Sequence, residues 1–388
     1  MQTRYAITAT ALANTASAST ESVIEQVFAG NSRLQPPSPH FAPPFKIVVG
    51  EMLNLPPAAE IASQYDTRLL RIAMLGIRQI EKQVRAAVSK YGGKRVAFVF
   101  GTCTGGLDRT EAAYKKLRVG EPAKGYDFET MHPLHVVPSQ IARYLGVEGV
   151  VTVISTACSS SAKAVGVATR LLRAGVADAV LVGGADSLSL TTLYGFYSLG
   201  ALSSQTTRPF SVERDGISLG EGCGFILIDG HAQAPTVVVG VGESSDAHHL
   251  SAPDPNGKGA SIAMRSALAE AGMSASEVDY INAHGTGTVH NDASEGHAMV
   301  GVFGEKTAIS STKAVTGHML GAGGITEVIF ASEAIKLGVV PPNVTSGPID
   351  PIVAGRIVCE ARRMRVRIAM SNSFGFGGTN ASVVVAAS

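Results

Sequence analysis

Apolar positions along the chain follow two patterns in turn. Short continuous apolar runs read as buried strands, and stretches with apolar residues every third or fourth position read as helices. Tyr5–Ala11 reads as a first strand leading to a turn, and "SVIEQVFAG" (22–30) as a helix. Residues 34–46 are proline-rich and read as a loop. Residues 67–92 keep helical periodicity up to a glycine stop. "KRVAFVFG" (94–101) and "GVVTVISTA" (149–157) read as strands, 159–174 as a helix stopped by Gly175, and "DAVLVGGAD" (178–186) as a further buried strand. After "GHAQAPT" (230–236) the alternation restarts. It gives strand 235–243, helix 258–272, strand 278–285, a strand entering a loop at 307–313, helix 325–338, and strand–glycine loop–strand over 367–387.

Two such series predict an α/β protein of two halves, 1–234 and 235–388, each a largely buried sheet with helices outside it. Catalytic loops in such folds sit at the carboxyl ends of strands. A length of 388 residues with 45% apolar side chains supports more than one core and excludes general disorder. The 43 glycines are scattered, and so read as loop and close-packing positions. Net charge is +1 with no long run of one sign, which argues against nucleic acid or an anionic membrane surface as the main partner. No apolar run approaches the length of a membrane span. "ASA" near the N-terminus imitates a signal cleavage site, but the threonines before it make a poor signal core, and a strand is expected there instead. Cys103, Cys158, Cys223 and Cys359 form no C-x-x-C pair and have no metal-ligand spacing with histidine, which suits a reducing cytoplasm.

Four stretches carry candidate chemistry. In "STACSSS" (155–161), Cys158 follows a strand and opens a helix. The helix dipole and free N–H groups there favour thiolate, and small neighbours leave room for a substrate carbonyl; a buried structural cysteine is the alternative. In "NAHGTGTVHND" (282–292), His284 ends a strand, glycines permit a tight loop, and Thr286 and Thr288 offer hydroxyls. A satisfied core histidine is the bland reading. "SSTKAVTGHMLGAGG" (310–324) holds Lys313 and His318 before a helix; its glycine spacing matches neither a P-loop nor a dinucleotide fingerprint. "SNSFGFGGTN" (371–380) exposes backbone donors after a strand, or is a plain hairpin. His40, His132, His135, His248, His249, His290 and His297 read as structural or surface residues.

One cysteine, a histidine, a Lys/His loop and a glycine loop, in that order, resemble the β-ketoacyl-acyl carrier protein synthases of the elongating Cys-His-His type. The matching motifs are "STACSSS", "RPFSVERDGISLGEG" (208–222), "NAHGTGT", "STKAVTGHMLGAGG" and "SNSFGFGGTN", and the likeness covers nearly the whole chain. Initiating relatives carry asparagine where His318 stands. Thiolases carry a second cysteine where "SNSFGFGG" lies here. The resemblance implies the thiolase fold, two similar halves in a five-layer αβαβα stack, and a dimer. It also implies acyl carrier protein as partner, phosphopantetheine-borne substrates without a further cofactor or metal, and a cytoplasmic location.

The resemblance further implies roles. Cys158 takes the acyl chain. His284 and His318 stabilise the enolate left when a malonyl thioester loses CO2, so that replacing His318 should impair decarboxylation more than acyl transfer. The N–H groups of Cys158 and Phe374 hold the tetrahedral oxyanion, and Phe374 also gates the acyl site. Lys313 is electrostatic, with Glu327 as partner; Asp292 and Glu295 are structural. Thr286 and Thr288 bind the pantetheine arm, Thr104 bounds the acyl pocket, and Ser251 is assigned to substrate binding with them. Carrier contacts fall to Arg68 and Arg71, or to Arg208, Lys115, Lys116 and Arg118. "HNDASEG" (290–296) resembles synthases of aryl-polyene-type pathways. The alternatives are a non-catalytic chain-length partner in a heterodimer, which would lack the cysteine, and an unrelated cysteine hydrolase, which leaves the second histidine and the lysine unexplained.

Overall fold

Buried apolar runs pair into a single ten-stranded sheet whose two halves repeat one topology. The computed structural model describes residues 4–41, 43–304 and 307–388, so residue 42 of the expected 34–46 loop lies outside the described residues. In chain order the strands are β1 (Tyr5–Asn14), β2 (Val96–Gly101), β3 (Val151–Ile154), β4 (Ala179–Asp186), β5 (Gly222–Asp229), β6 (Thr236–Ser245), β7 (Tyr280–Asn282), β8 (Ala308–Ser310), β9 (Val339–Val340), β10 (Arg362–Arg363), β11 (Ile368–Gly375) and β12 (Thr379–Ala387). The first five order as β3-β2-β4-β5-β1. The second half orders as β8-β7-β11-β12-β6, while β9 and β10 form a separate ribbon. In each half three strands are parallel and the last two antiparallel. The halves meet where Tyr5 and Ala6 of β1 pair with Val238 and Val237 of β6.

The helices are α1 (Thr20–Ala29), α2 (Arg68–Tyr91), α3 (Leu107–Arg118), α4 (Phe128–Met131), α5 (Val136–Leu145), α6 (Ser160–Arg173), α7 (Leu190–Ser198), α8 (Lys258–Ala271), α9 (Val289–Phe303), α10 (Lys313–Thr316) and α11 (Gly323–Leu337). Helices α6 and α11 lie between the two sheet halves. Ala162, Ala164 and Val165 of α6, with Ile325, Val328 and Ile329 of α11, pack against Val180 and Ile226 on one side and Val383 and Val385 on the other. Helix α2 covers the outer face of the first half against Phe98, Phe100 and Phe225. Helices α8 and α9 cover that of the second against Met370 and Val384. This is the five-layer thiolase arrangement. Strands covered on both faces explain the continuous apolar runs.

The small residues of α6 are what the middle layer requires. A Cβ at Gly324 of α11 would stand 2.7 Å from the Ala162 backbone nitrogen, and one at Gly101 of β2 would stand 2.5 Å from the Ser161 nitrogen. Both positions therefore admit only glycine, and they bring α6 against α11 and β2 at the end where Cys158 sits. Strand β5 and helices α3, α5, α7 and α9 are absent from the periodicity reading. In β5 the glycines at 222 and 224 interrupt the apolar run, because a Cβ at Gly224 would lie 2.8 Å from the Thr326 methyl.

Candidate active site

Strand β3 ends at Ile154 and the chain turns sharply before α6. Ala157 takes the turn at φ +52°, a left-handed conformation that costs a non-glycine residue roughly 1–2 kcal/mol. The neighbouring serines hold it. Ser160 Oγ accepts from the Thr156 N–H at 2.8 Å and donates to the Ala157 carbonyl at 2.6 Å. Ser159 Oγ donates to the Thr156 carbonyl, and Ser161 Oγ accepts from the Ile325 N–H at the start of α11. All three serines are fully buried. Their small size thus serves the turn and its packing, beyond the substrate access expected from sequence.

His284 follows β7, and its loop hangs on two buried carboxylates. Glu295 accepts the His284 N–H and the Gly285 N–H, each at 2.8 Å, and the Asn372 side-chain amide at 3.3 Å. Asp292 accepts the N–H groups of Phe210 and Gly287. Gly285 and Gly287 adopt φ +37° and +77°. We expect Glu295→Gln to destabilise the protein by about 1–3 kcal/mol, because one amide N–H would face a buried donor and leave it unpaired. Chemical denaturation checks this; an unchanged midpoint would contradict it.

His318 is held through its backbone. Its N–H donates to the Ser218 carbonyl at 2.8 Å and its carbonyl accepts from Gly220 N–H at 2.9 Å. The turn that follows, with Leu320 at φ +46°, is tied by the Gly321 N–H to Asp186 at 2.7 Å. Asp186, fully buried, also accepts from Thr102, Cys103 and Thr104, and so links the loop after β2 to the His318 loop. Sequence reasoning missed Asp186; its only signal is an acid ending an apolar strand.

These elements bring three reactive groups together. His318 Nε2 lies 2.9 Å from Cys158 Sγ. The His284 and His318 rings stand 5.3 Å apart, nearly perpendicular at 83°. All three residues are buried. They sit on the wall of a cavity of about 340 Å³ that Thr286, Thr288, Ser251, Phe374 and Phe376 also line. Lys313 and Glu327 form a buried ion pair close behind them.

Electrostatics correct one expectation. Burial pushes the Cys158 thiol up to about 11, against the pull of the Lys313 charge and of the backbone N–H groups of Phe376 and Cys158. The resting sulfur is a thiol, since desolvation outweighs the helix end. Burial, then the Lys313 charge, holds His284 and His318 well below the usual imidazole range, so both rings are neutral. Burial pushes Glu295 and Glu327 up to about 7.

Several other expected residues take places of their own. The second N–H facing Cys158 belongs to Phe376, not Phe374. Phe374 lies within β11, paired with Asn380, and its ring packs 6.1 Å from that of His284. Phe376 lies beyond the strand end, and its ring stacks on that of Phe196 at 5.4 Å. Thr104 does not line the cavity: its hydroxyl donates to Asp186 at 2.8 Å. Arg68 is not a free surface cation, because Glu221 and the Met52 carbonyl hold it beneath the surface. Arg208 pairs with Glu213 and Asp215, and Arg71 with Asp66, whereas Lys115, Lys116 and Arg118 are exposed at the end of α3.

Comparison with known proteins agrees with this geometry. Residues 67–234 match the model of the beta-ketoacyl synthase N-terminal domain, and residues 236–346 that of the beta-ketoacyl synthase C-terminal domain. The chain is 37% identical to nodulation protein E of Rhizobium meliloti (strain 1021) over 330 residues, 81% of each chain. It is 35% identical to 3-oxoacyl-[acyl-carrier-protein] synthase 2 of Staphylococcus aureus (strain COL) over 335 residues, 82% of this chain and 81% of that one. A ketosynthase solved in complex with its chain length factor, from Xenorhabdus doucetiae, superposes with a TM-score of 0.91 at 34% identity, covering 100% of this chain and 98% of that chain.

Proposed function

The chain belongs to the β-ketoacyl synthase family, and from that premise we propose how its residues divide the work. The reaction is the decarboxylative Claisen condensation of an acyl thioester with a malonyl thioester on acyl carrier protein, in fatty-acid or polyketide-type chain elongation. The observation that carries the residue assignments is the convergence of Cys158 Sγ with one ring nitrogen each of His284 and His318, all within 4.8 Å of one another.

In the first half-reaction Cys158 attacks the acyl thioester. Its proton passes to His318 Nε2, the neutral base already in contact with it, and then to the departing pantetheine thiolate. The tetrahedral oxyanion accepts from the N–H groups of Cys158 and Phe376, each donor worth roughly 3 kcal/mol. In the second half-reaction malonyl thioester binds in the emptied cavity, with Thr286, Thr288 and Ser251 along the pantetheine arm. Its carboxylate leaves as CO2. The electron pair moves to the thioester oxygen, which accepts from a ring N–H of His284 and from His318 Nε2, after the neutral His318 ring has shifted its one proton from Nδ1 to the nitrogen that served as base in the first half-reaction. The carbanion carbon then attacks the acyl carbonyl, the bond to Cys158 Sγ breaks, and the sulfur leaves as thiolate. Loss of CO2 drives the new bond, so this reading needs no nucleotide or redox cofactor.

The same reading divides the chain at 234/235 into a half carrying the nucleophile and a half carrying both histidines. It pairs the chain with acyl carrier protein and with a second ketosynthase-fold chain, either a copy of itself or a chain-length factor. A cytoplasmic location is supported by four free cysteines; among the described residues no helix is long and apolar enough to cross a membrane. The test is a panel of acyl-carrier thioesters of graded length and unsaturation, with the protein read by intact mass. We expect one acyl group per chain, on Cys158, for a narrow subset of the panel. No acyl adduct from any of them would overturn the proposal.

A further inference from the structure

The groups that converge on the cavity also have the makings of a metal site. Among the described residues, Cys158, His284 and His318 form the single cluster of three histidine, cysteine or acidic side chains whose donor atoms all approach within 4.8 Å of one another. Each is buried, and each belongs to a backbone fixed by its own hydrogen bonds, so the donors are held in place before any ligand arrives.

The geometry is close to what a tetrahedral ion needs. Metal bonds of about 2.3 Å to sulfur and about 2.0 Å to nitrogen set donor separations near 3.5 Å. The Sγ–Nε2 contact of 2.9 Å must open by roughly half an ångström, and the remaining pairs lie inside or close by an ångström or so. Rotation of side chains supplies movements of that size. Rings crossing at 83° present their nitrogens from different directions, and all three residues line the cavity, which is the route by which a fourth ligand would arrive. One thiolate with two imidazoles is a borderline-soft set that suits Zn2+ or Co2+ and disfavours Mg2+ and Ca2+. The nearby Lys313 charge opposes a cation, but Glu327 pairs with it.

We propose that the unacylated protein binds one zinc-class divalent cation through Cys158, His284 and His318, and that condensation is inhibited while it is bound. On binding, the Sγ–H bond breaks, an Sγ–metal bond forms, and the proton leaves to the buffer, with no change in oxidation state. A thioester sulfur is a poor ligand, so acylation of Cys158 and metal binding exclude one another. The inhibition rests on the reading of the reaction given above; the binding does not.

Co2+ titration of the full-length, metal-free protein tests the binding. We expect one equivalent to produce a sulfur-to-cobalt charge-transfer band in the near ultraviolet, together with intense tetrahedral visible bands. Both should vanish in Cys158→Ala, which keeps Cys103, Cys223 and Cys359 as internal controls for other thiols, and in protein acylated beforehand. His318→Ala removes a ligand itself and should weaken binding by more than the roughly 10–100-fold typical of losing a residue that only orients one. Stoichiometric Zn2+ should abolish condensation, EDTA should restore it, and the preformed acyl-enzyme should resist. An absent band, or one unchanged in Cys158→Ala, would overturn the site. Cobalt binding without zinc inhibition of an active enzyme would overturn the regulatory part. Cobalt binding by a protein that never condenses would instead count against the reaction reading and leave the metal site standing.

Discussion

Replacing Cys158 by alanine should abolish acyl transfer and condensation while sparing the decarboxylation of malonyl thioester. Removing a covalent nucleophile from a site whose groups act together lowers turnover by about four to six orders of magnitude. No other thiol can substitute. Cys223 is fully buried with its sulfur bonded to the Ile72 carbonyl, and Cys359 is exposed. Cys103 is the nearest rival; its sulfur faces the Ala157 carbonyl at 3.3 Å, and burial raises its thiol well above the ordinary range. Decarboxylation asks only for donors at the enolate oxygen, and those belong to His284 and His318 on the other half of the chain. Alanine is also smaller than cysteine, so malonyl thioester can occupy the cavity without an acyl chain. Intact mass after incubation with acyl carrier thioester measures the first step, and CO2 release measures the second. An acyl adduct on the variant would remove Cys158 as nucleophile. Parallel loss of decarboxylation would mean that the thiol helps hold the histidines, which the 2.9 Å contact to His318 makes the specific point at issue. That contact also changes what is expected of His318→Ala: it should slow acyl transfer as well as decarboxylation.

The order of elements was legible because buried parallel strands have no polar face. Runs such as "VAFVF" and "AVLVGGA", short and rich in β-branched or aromatic residues, fit strands covered on both sides. The nucleophile and both histidines could also be read, since each sits beside glycine or small residues at a strand end. What could not be read depends on distance in space. Phe374 and Phe376 have the same side chain two positions apart. Only the strand end at Gly375 separates a residue inside the ladder from one whose N–H is free to face Cys158. The Thr104 hydroxyl is held by a carboxylate from β4, 82 residues on, a partner that spacing along the chain does not reveal. The thiolate expectation failed for an energetic reason. The helix end stabilises an anion by about a kilocalorie per mole, and burying the thiol in a largely apolar wall opposes it more strongly, a quantity that spacing along the chain does not carry.

Lys313→Met should destabilise the protein by about 3–5 kcal/mol near pH 8, because it leaves a buried carboxylate without its cation. Lys313 and Glu327 are almost fully buried, and among the described residues the second oxygen of Glu327 accepts no hydrogen bond, so nothing else offsets the charge. The loss should shrink toward acid pH. Burial holds Glu327 at about 7 in the folded protein, above its ordinary value of 4.5. The folded state therefore binds the proton more tightly than the unfolded one, and stability falls as pH rises between those values. Without Lys313, which pulls it down, the folded value climbs and the decline extends to higher pH. Denaturation of the variant at pH 6 and pH 8 should expose the difference. Lys313→Met with Glu327→Leu removes both charges and should recover most of the stability, since a buried pair replaced by apolar side chains is often neutral or better. Function should not return with it. The Lys313 charge lowers the Cys158 thiol by more than the Glu327 charge raises it, so the double variant should acylate Cys158 slowly and with its pH profile displaced upward. A refolded double variant that acylates at the normal rate and pH would reduce Lys313 to a packing partner of Glu327; a stable but sluggish one would make it the charge that prepares the nucleophile.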